Sequence, residues 1–408
     1  MPHDRSPFDS DVALIGTGLA PLVAASHLLS QGKSVLVLNP DFDFFLEDSE
    51  LSLDPLLPLT SDGLDPKRLA ANLPEQVLAQ LRPSFPGAVE SWAAGVMESA
   101  GFHDPQAPHV RQRSRLWITG DAERGAHEQW ERLEDAYVGS SDAGLNPKIL
   151  DGLQAARRFP GFAATAGAYR GLLLPKLCEV DVSRYRNGVL EFVRERLGQE
   201  RFVMSAAQIE VMPGGVRFHS DGKAHTARVR DQILVFHTPR MTPWILKQAK
   251  RAEVMPRLPK GIRLWEQWSL ISRDDLDPEV IGTYANLVVW AEVEGSPSSA
   301  GVLNRLAVLR AGPLVDVREN PAAQGNSSTE NWFSQESLLS LSSLCYDFLK
   351  WNRFSVRSMK PRAILEWGED QHWDFKVSEA RVKVVTRCDG PIFDVVRVAH
   401  QVAQEVMA

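Results

Sequence analysis

Residues 12–39, VALIGTGLAPLVAASHLLSQGKSVLVLN, decide how this chain begins to fold. The apolar run Val12-Ala13-Leu14-Ile15 suits a strand buried on both faces, as a parallel sheet requires. Gly16 and Gly18 follow as a tight turn whose backbone can approach a pyrophosphate closely. The next segment reads as a helix with Ala24, Ala25, Leu28 and Leu29 on its inner side. Its free N–H groups and positive dipole end face the same phosphate. Gly32 closes the helix, and Ser34 to Leu38 forms a second strand. In register from Gly16 to Leu38, this is a dinucleotide-binding βαβ unit. Gly16, Gly18, Leu19, Ala20 and Pro21 are its phosphate-side residues.

Two positions depart from the fingerprint. Its third glycine, which lets helix and strand pack closely, is replaced by Pro21. Proline is tolerated in a first helical turn, where its missing N–H costs no intrahelical bond, but a phosphate loses one donor. At the end of the second strand, where an acidic residue accepts from ribose hydroxyls, stands Asn39. Its side-chain carbonyl can still accept a hydrogen bond, without charge.

With 408 residues the chain is long enough for two domains. A net charge of −7 supplies no basic field for nucleic acid. No apolar run is long enough to span a bilayer. The start MPHDRSPFDS has no apolar signal core, so a cytoplasmic location is expected. Cys178, Cys345 and Cys388 form no CxxC pair and no metal spacing, so neither a metal site nor paired-thiol chemistry is expected.

Beyond the βαβ unit the chain alternates between sheet-forming and helical blocks. An acidic, proline-rich piece (residues 41–66) leads into an expected helical stretch from about Pro66 to Gly101. A short strand is expected at Ser114 to Thr119. A helix begins near Asp181 or Ser183, with Val189, Leu190, Phe192 and Val193 on its apolar face. Strands follow at Ala206 to Met212, Gly215 to His219 and Gln232 to Phe236, the last ending in the turn HTPRMTP. Residues 262–316 and 355–367 read as alternating apolar strands, with a helix near Gln335 to Trp351. The end, RVKVVTRCDGPIFDVVRVAHQVAQEV (381–406), reads as strand, Asp-Gly-Pro turn and amphipathic helix.

This order, and above all the first unit and the last 30-odd residues, resembles the glutathione-reductase-type FAD-dependent oxidoreductases, most of all their D-amino-acid-oxidase-like branch. The resemblance implies an α/β fold: an N-terminal FAD/NAD(P)-binding Rossmann-like domain with a parallel sheet, plus a mostly antiparallel-sheet substrate domain with a helical insertion. It divides the chain into a discontinuous FAD-binding domain (1–60, 160–250 and 375–408) and a substrate or cap domain (61–159 and 251–374). Carried over by position, Asp389 would meet the ribityl chain or pyrophosphate, and Gly390, Pro391 and the last helix would face the isoalloxazine. Ala206 lies where family members offer backbone bonds to adenine. The chain departs from the family in the acidic segment after the second strand, which has no basic residue, and in the bulky turn at Phe236-His237-Thr238-Pro239. No second glycine fingerprint is present, so a separate nicotinamide domain is not expected.

The resemblance implies FAD as cofactor and hydride transfer to flavin from a small amine, amino acid or related metabolite, or from a peptide. Placement alone makes Arg362 and Arg387 candidate carboxylate anchors, with Tyr169 and Lys176 behind them. His237 is a candidate acid or base, and His400 is explained by helix packing. Two alternatives stay open: a degenerate flavoprotein fold serving as a binding or escort protein for a protein partner, and an NAD(P)-dependent dehydrogenase. The Asp-Gly-Pro closure argues against the second.

Overall fold

The computed structural model describes residues 6–40, 50–51, 110–120, parts of 131–142, 146–158, 169–180, 182–272, 280–284, 287–292, 304–315, 354–367, 372–388 and 390–407. The helices expected at Pro66 to Gly101 and Gln335 to Trp351 fall outside these residues.

The opening unit forms as read: β1 (Ser10–Ile15), helix α1 (Leu19–Ser30) and β2 (Val35–Leu38). β1 lies parallel to β2, Val12 opposite Val35 and Ile15 opposite Leu38. Its other neighbour is β10 (Lys223–Phe236), with Ile15 opposite Val235. β17 (Ala380–Val385) continues the parallel set, and β7 (Phe202–Val203) pairs with β2 on the far side. One antiparallel edge strand, β16 (Trp373–Val377), completes the row β16-β17-β10-β1-β2-β7. β10 is longer than the apolar run Gln232 to Phe236 suggests. Its polar first half pairs with a hairpin, β8 (Ala207–Met212) and β9 (Gly215–Ser220), so ladder bonds rather than core burial carry it.

Strand alternation splits the core into two layers. Val12, Leu14, Val35, Val37, Leu234 and Phe236 point to one face. There they meet α1, α3 (Val182–Arg201) and the C-terminal helix α5 (Ile392–Met407). Ala13, Ile15, Leu36, Leu38, Ile233 and Val235 point to the other, against the β8–β9 hairpin and α4 (Thr242–Arg251). α1 departs from the one-sided helix expected of Ala24, Ala25, Leu28 and Leu29. Every residue from Leu19 to Leu28 is buried, because α3 and α5 cover the side away from the sheet. Its sequence carries no Asp, Glu, Lys or Arg, as a helix enclosed all round requires. Gly32 takes φ +79°, and its N–H and that of Lys33 bond back to Leu29 and Leu28 in a Schellman closure.

The second sheet runs β15-β11-β14-β13-β12-β4-β6-β5. Its members are β4 (Val110–Gly120), β5 (Lys148–Asp151), β6 (Tyr169–Val180), β11 (Gly261–Ser272), β12 (Val280–Tyr284), β13 (Leu287–Glu292), β14 (Asn304–Val315) and β15 (Phe354–Glu366). All neighbours are antiparallel except β12 and β4. The strand expected at Ser114 to Thr119 is therefore part of a longer one. Residues 169–180, grouped by chain order with the cofactor domain, pair instead in this sheet, between β4 and β5. Their run of three leucines, Leu172 to Leu174, is buried there beside the short α2 (Gly152–Arg158).

His27 of α1 and His400 of α5 face each other across the helix interface, ring centroids 5.4 Å apart. Burial lowers the His27 pKa, and burial together with His27 pushes His400 down to about 4. Both shifts disfavour the charged ring in the fold, whereas the unfolded chain takes up protons near the ordinary value of 6.5. The interface is thus fully stable above that value and loses stability as the pH falls from 6.5 towards 4. Thermal melts should show the midpoint dropping across this window, and His400→Leu should make the drop shallower. An unchanged pH profile in the variant would contradict the assignment.

Candidate functional site at the carboxyl edge of the parallel sheet

The parallel registers bring four chain segments to one level. Ile15 pairs with Leu38 and with Val235, and Phe236 pairs with Val385. Gly16, Asn39, His237 and Thr386 therefore all emerge just beyond the carboxyl ends of neighbouring strands. Open α/β sheets bind their ligands at this edge.

Gly16 donates its N–H to the Leu38 carbonyl at 3.2 Å. A Cβ added to it would lie 2.8 Å from the Phe236 Cβ, so only glycine lets the turn close onto β10. Gly18 stands at φ 83°, ψ −159°, a conformation reserved for glycine, and forms the cap of α1. No side chain caps this helix end and no acidic residue lies in its first turn. A helix end of this polarity favours negative charge beside it. Leu19, Ala20 and Pro21 are the first three helical residues, so Pro21 falls where a helix tolerates it. Thr17 bonds across to Thr238 through their hydroxyls at 3.3 Å, tying the glycine turn to the end of β10.

Asn39 and Ala206 meet. The Asn39 N–H donates to the Val203 carbonyl at 2.9 Å, and its carbonyl accepts the Ala206 N–H at 2.8 Å. The Ala206 amide is thus engaged by the protein and not available to a base. His237 continues the ladder by donating its N–H to Val385. Its Nε2 lies 3.0 Å from the Thr242 hydroxyl, and its ring stands edge-on to Trp367 at 5.0 Å. Burial pushes His237 down to about 3, so it is neutral at any physiological pH. Its Nδ1 is buried without a hydrogen-bond partner. On the next strand Thr386 donates its N–H to His372 Nδ1 at 3.3 Å, which fixes that nitrogen as an acceptor. Cys388 is buried and donates to the Val385 carbonyl.

Of the other expected residues, Arg387 is half-buried at the same edge, held at φ 59°. Gly390 and Pro391 form β18, which pairs with β3 (Glu50–Leu51) and runs straight into α5. Part of the acidic segment therefore returns to the C-terminal turn. Asp389 falls outside the described residues. Arg362 lies in β15 of the second sheet, opposite Trp265, five residues before Trp367. Tyr169 and Lys176 belong to β6 of that sheet. Thr17, Thr238, Thr242 and Thr386 were not singled out from sequence. A weak signal existed: three of the four lie within two residues of an apolar run that ends at this edge. Among the described residues, no group of three or more His, Cys, Asp or Glu could hold a metal, and no helix is long and apolar enough to cross a membrane.

No protein-family model matches the chain. The L-proline dehydrogenase of P. horikoshii superposes with a TM-score of 0.62 at 11% identity, over 99% of this chain and 94% of that one. The FAD-bound L-alpha-glycerophosphate oxidase of Mycoplasma pneumoniae gives 0.60 at 14% identity, over 98% and 94%. The chain shares the fold of these two proteins. A KsdD-like steroid dehydrogenase of Mycolicibacterium smegmatis is 24% identical over 229 residues, 55% of this chain and 37% of that protein. The match thus spans little more than a third of the curated relative.

The glycine geometry fits a dinucleotide pyrophosphate, and the buried, partnerless Nδ1 of His237 fits a polar ligand at the same edge. Gly16→Ala is expected to lower the unfolding free energy by about 1–3 kcal/mol, since the added methyl meets Phe236. Urea denaturation measures it, and an unchanged midpoint would show that the turn is not held against β10.

Proposed function

We propose that the protein is an FAD-dependent oxidoreductase acting on a small amine, amino acid or related metabolite. The observation that carries this reading is the glycine turn itself. Gly16 is closed onto Phe236 and Gly18 caps an uncharged helix, in a chain that superposes along nearly its whole length on an FAD-bound oxidase. Gly16, Gly18, Leu19, Ala20 and Pro21 would hold the pyrophosphate. Asn39 and the Ala206 carbonyl would hold the adenosine end, and Asp389, Gly390, Pro391 and the head of α5 the flavin end. Bound there, FAD supplies a two-electron acceptor for hydride removed from a substrate carbon.

The chain's own groups shape what surrounds that acceptor. Neutral His237, fixed by Thr242 and Trp367, offers a hydrogen bond without charge. Arg387 supplies the cation nearest the C-terminal turn among the expected anchors, and a bidentate guanidinium suits a substrate carboxylate. Arg362 is the second candidate. Anaerobic mixing of the flavin-loaded protein with a panel of amino acids and amines tests the reading, by bleaching of the flavin's visible band. Arg387→Lys is expected to raise KM for a carboxylate substrate about tenfold, with a smaller change in kcat. Failure of every amine and amino acid to bleach the flavin would remove the substrate class.

Three observations favour a second reading, a flavoprotein fold kept as a binding or escort scaffold. Pro21 removes a donor, Asn39 removes the ribose carboxylate, and Thr17, Asn39, Ala206, His237 and Thr238 are each at most 1% exposed. Protein covers these five residues. A dinucleotide that reaches these groups must displace what covers them, and we expect apoprotein to take up FAD more slowly than about 10⁵ M⁻¹s⁻¹ by stopped-flow flavin fluorescence. Uptake near the diffusion limit would mean an open cradle. A protein that takes up no FAD fits the scaffold.

A further inference from the structure

The link between the two sheets carries a feature that the cofactor edge does not use. α4 ends at Arg251, and residues 252–260 lead to β11. Residues 246–260, LKQAKRAEVMPRLPK, hold five cations and a single carboxylate, in a chain whose net charge is −7. The inner face of α4 is buried through Thr242, Ile245, Gln248 and Ala249. Lys247, Lys250, Arg251, Arg257 and Lys260 are all exposed. Among them stand exposed apolar side chains: Met255 at 91%, with Leu246 and Leu258 each at 37%.

The strip is pinned along its length. Trp244 Nε1 donates to the Ile209 carbonyl at 2.8 Å, and Arg251 bridges Glu210 at 2.6 Å. The Val254 N–H folds back onto the Ala249 carbonyl, and the Lys260 N–H bonds to Glu366 of β15. Pro256 and Pro259 restrict the backbone around Leu258. Little further order is lost if this segment binds something. Five cations against one carboxylate, with exposed Met255, Leu246 and Leu258 between them, complement a boundary that is anionic outside and apolar beneath, as a lipid headgroup layer is.

We propose that this strip docks the protein on an anionic lipid surface. Met255 and Leu258 enter the headgroup layer while Lys247, Lys250 and Lys260 face lipid phosphates. Each lysine near such a surface contributes about 1 kcal/mol, roughly a fivefold gain in partition coefficient. The inference is independent of the oxidoreductase reading.

Co-sedimentation of the purified full chain with vesicles of phosphatidylcholine, with and without phosphatidylserine, tests it. The chain is expected to pellet with the serine-containing vesicles, at least about tenfold better than with phosphatidylcholine alone, and to be released by salt. Met255→Asp and the pair Lys247→Glu with Lys250→Glu should each cut pelleting at least about fivefold. Their thermal midpoints should be unchanged, because these side chains are exposed. Equal pelleting of variants and wild type overturns the proposal. So does absence of pelleting with anionic vesicles, including the case in which the strip captures an acidic protein instead.

Discussion

The parallel ladder that joins β2, β1, β10 and β17 is the constraint on which the site depends. It fixes the ends of four strands at one level, so that Gly16, Asn39, His237 and Thr386 emerge together although they are far apart in sequence. The Gly16–Phe236 contact then sets how closely the turn can approach β10. A one-residue slip in β10 would replace the Phe236 side chain under Gly16 with that of a residue meant for the other face. The hydroxyl contact of Thr17 with Thr238 and the amide ladder of His237 with Val385 both need the same register.

Most of the first domain was legible because its signals are local. An apolar strand, two glycines, an uncharged helix and a second apolar strand sit within 28 residues, and each piece has few other ways to fold. The closing strand and α5 were legible for the same reason, through a strand-turn-helix pattern at 381–406. Tyr169 to Val180 was misplaced because an apolar run states that it is buried, not in which sheet. β10 was read short because its first half is polar. What stabilises that half is pairing with β9, a non-local fact.

The site divides along the same line. Gly16, Gly18, Pro21 and Asn39 were expected here from the βαβ register, and the local β1–α1–β2 unit is enough to bring them to this edge. Thr17, Thr238, Thr242 and Thr386 carry no motif, and they matter only because the ladder brings them to one edge. His237 was visible as a residue, but its neutral state was not. That state follows from complete burial beside Trp367, which belongs to the other sheet's last strand end.

The central claim is that the carboxyl edge holds FAD, and the most direct measurement is the visible spectrum and extractable cofactor of the purified protein. Flavin bands and one FAD per chain released on denaturation are expected, with Gly18→Ala losing that FAD while remaining folded. A colourless wild-type protein that also fails to take up added FAD would contradict it, and would leave the fold as a scaffold for a partner.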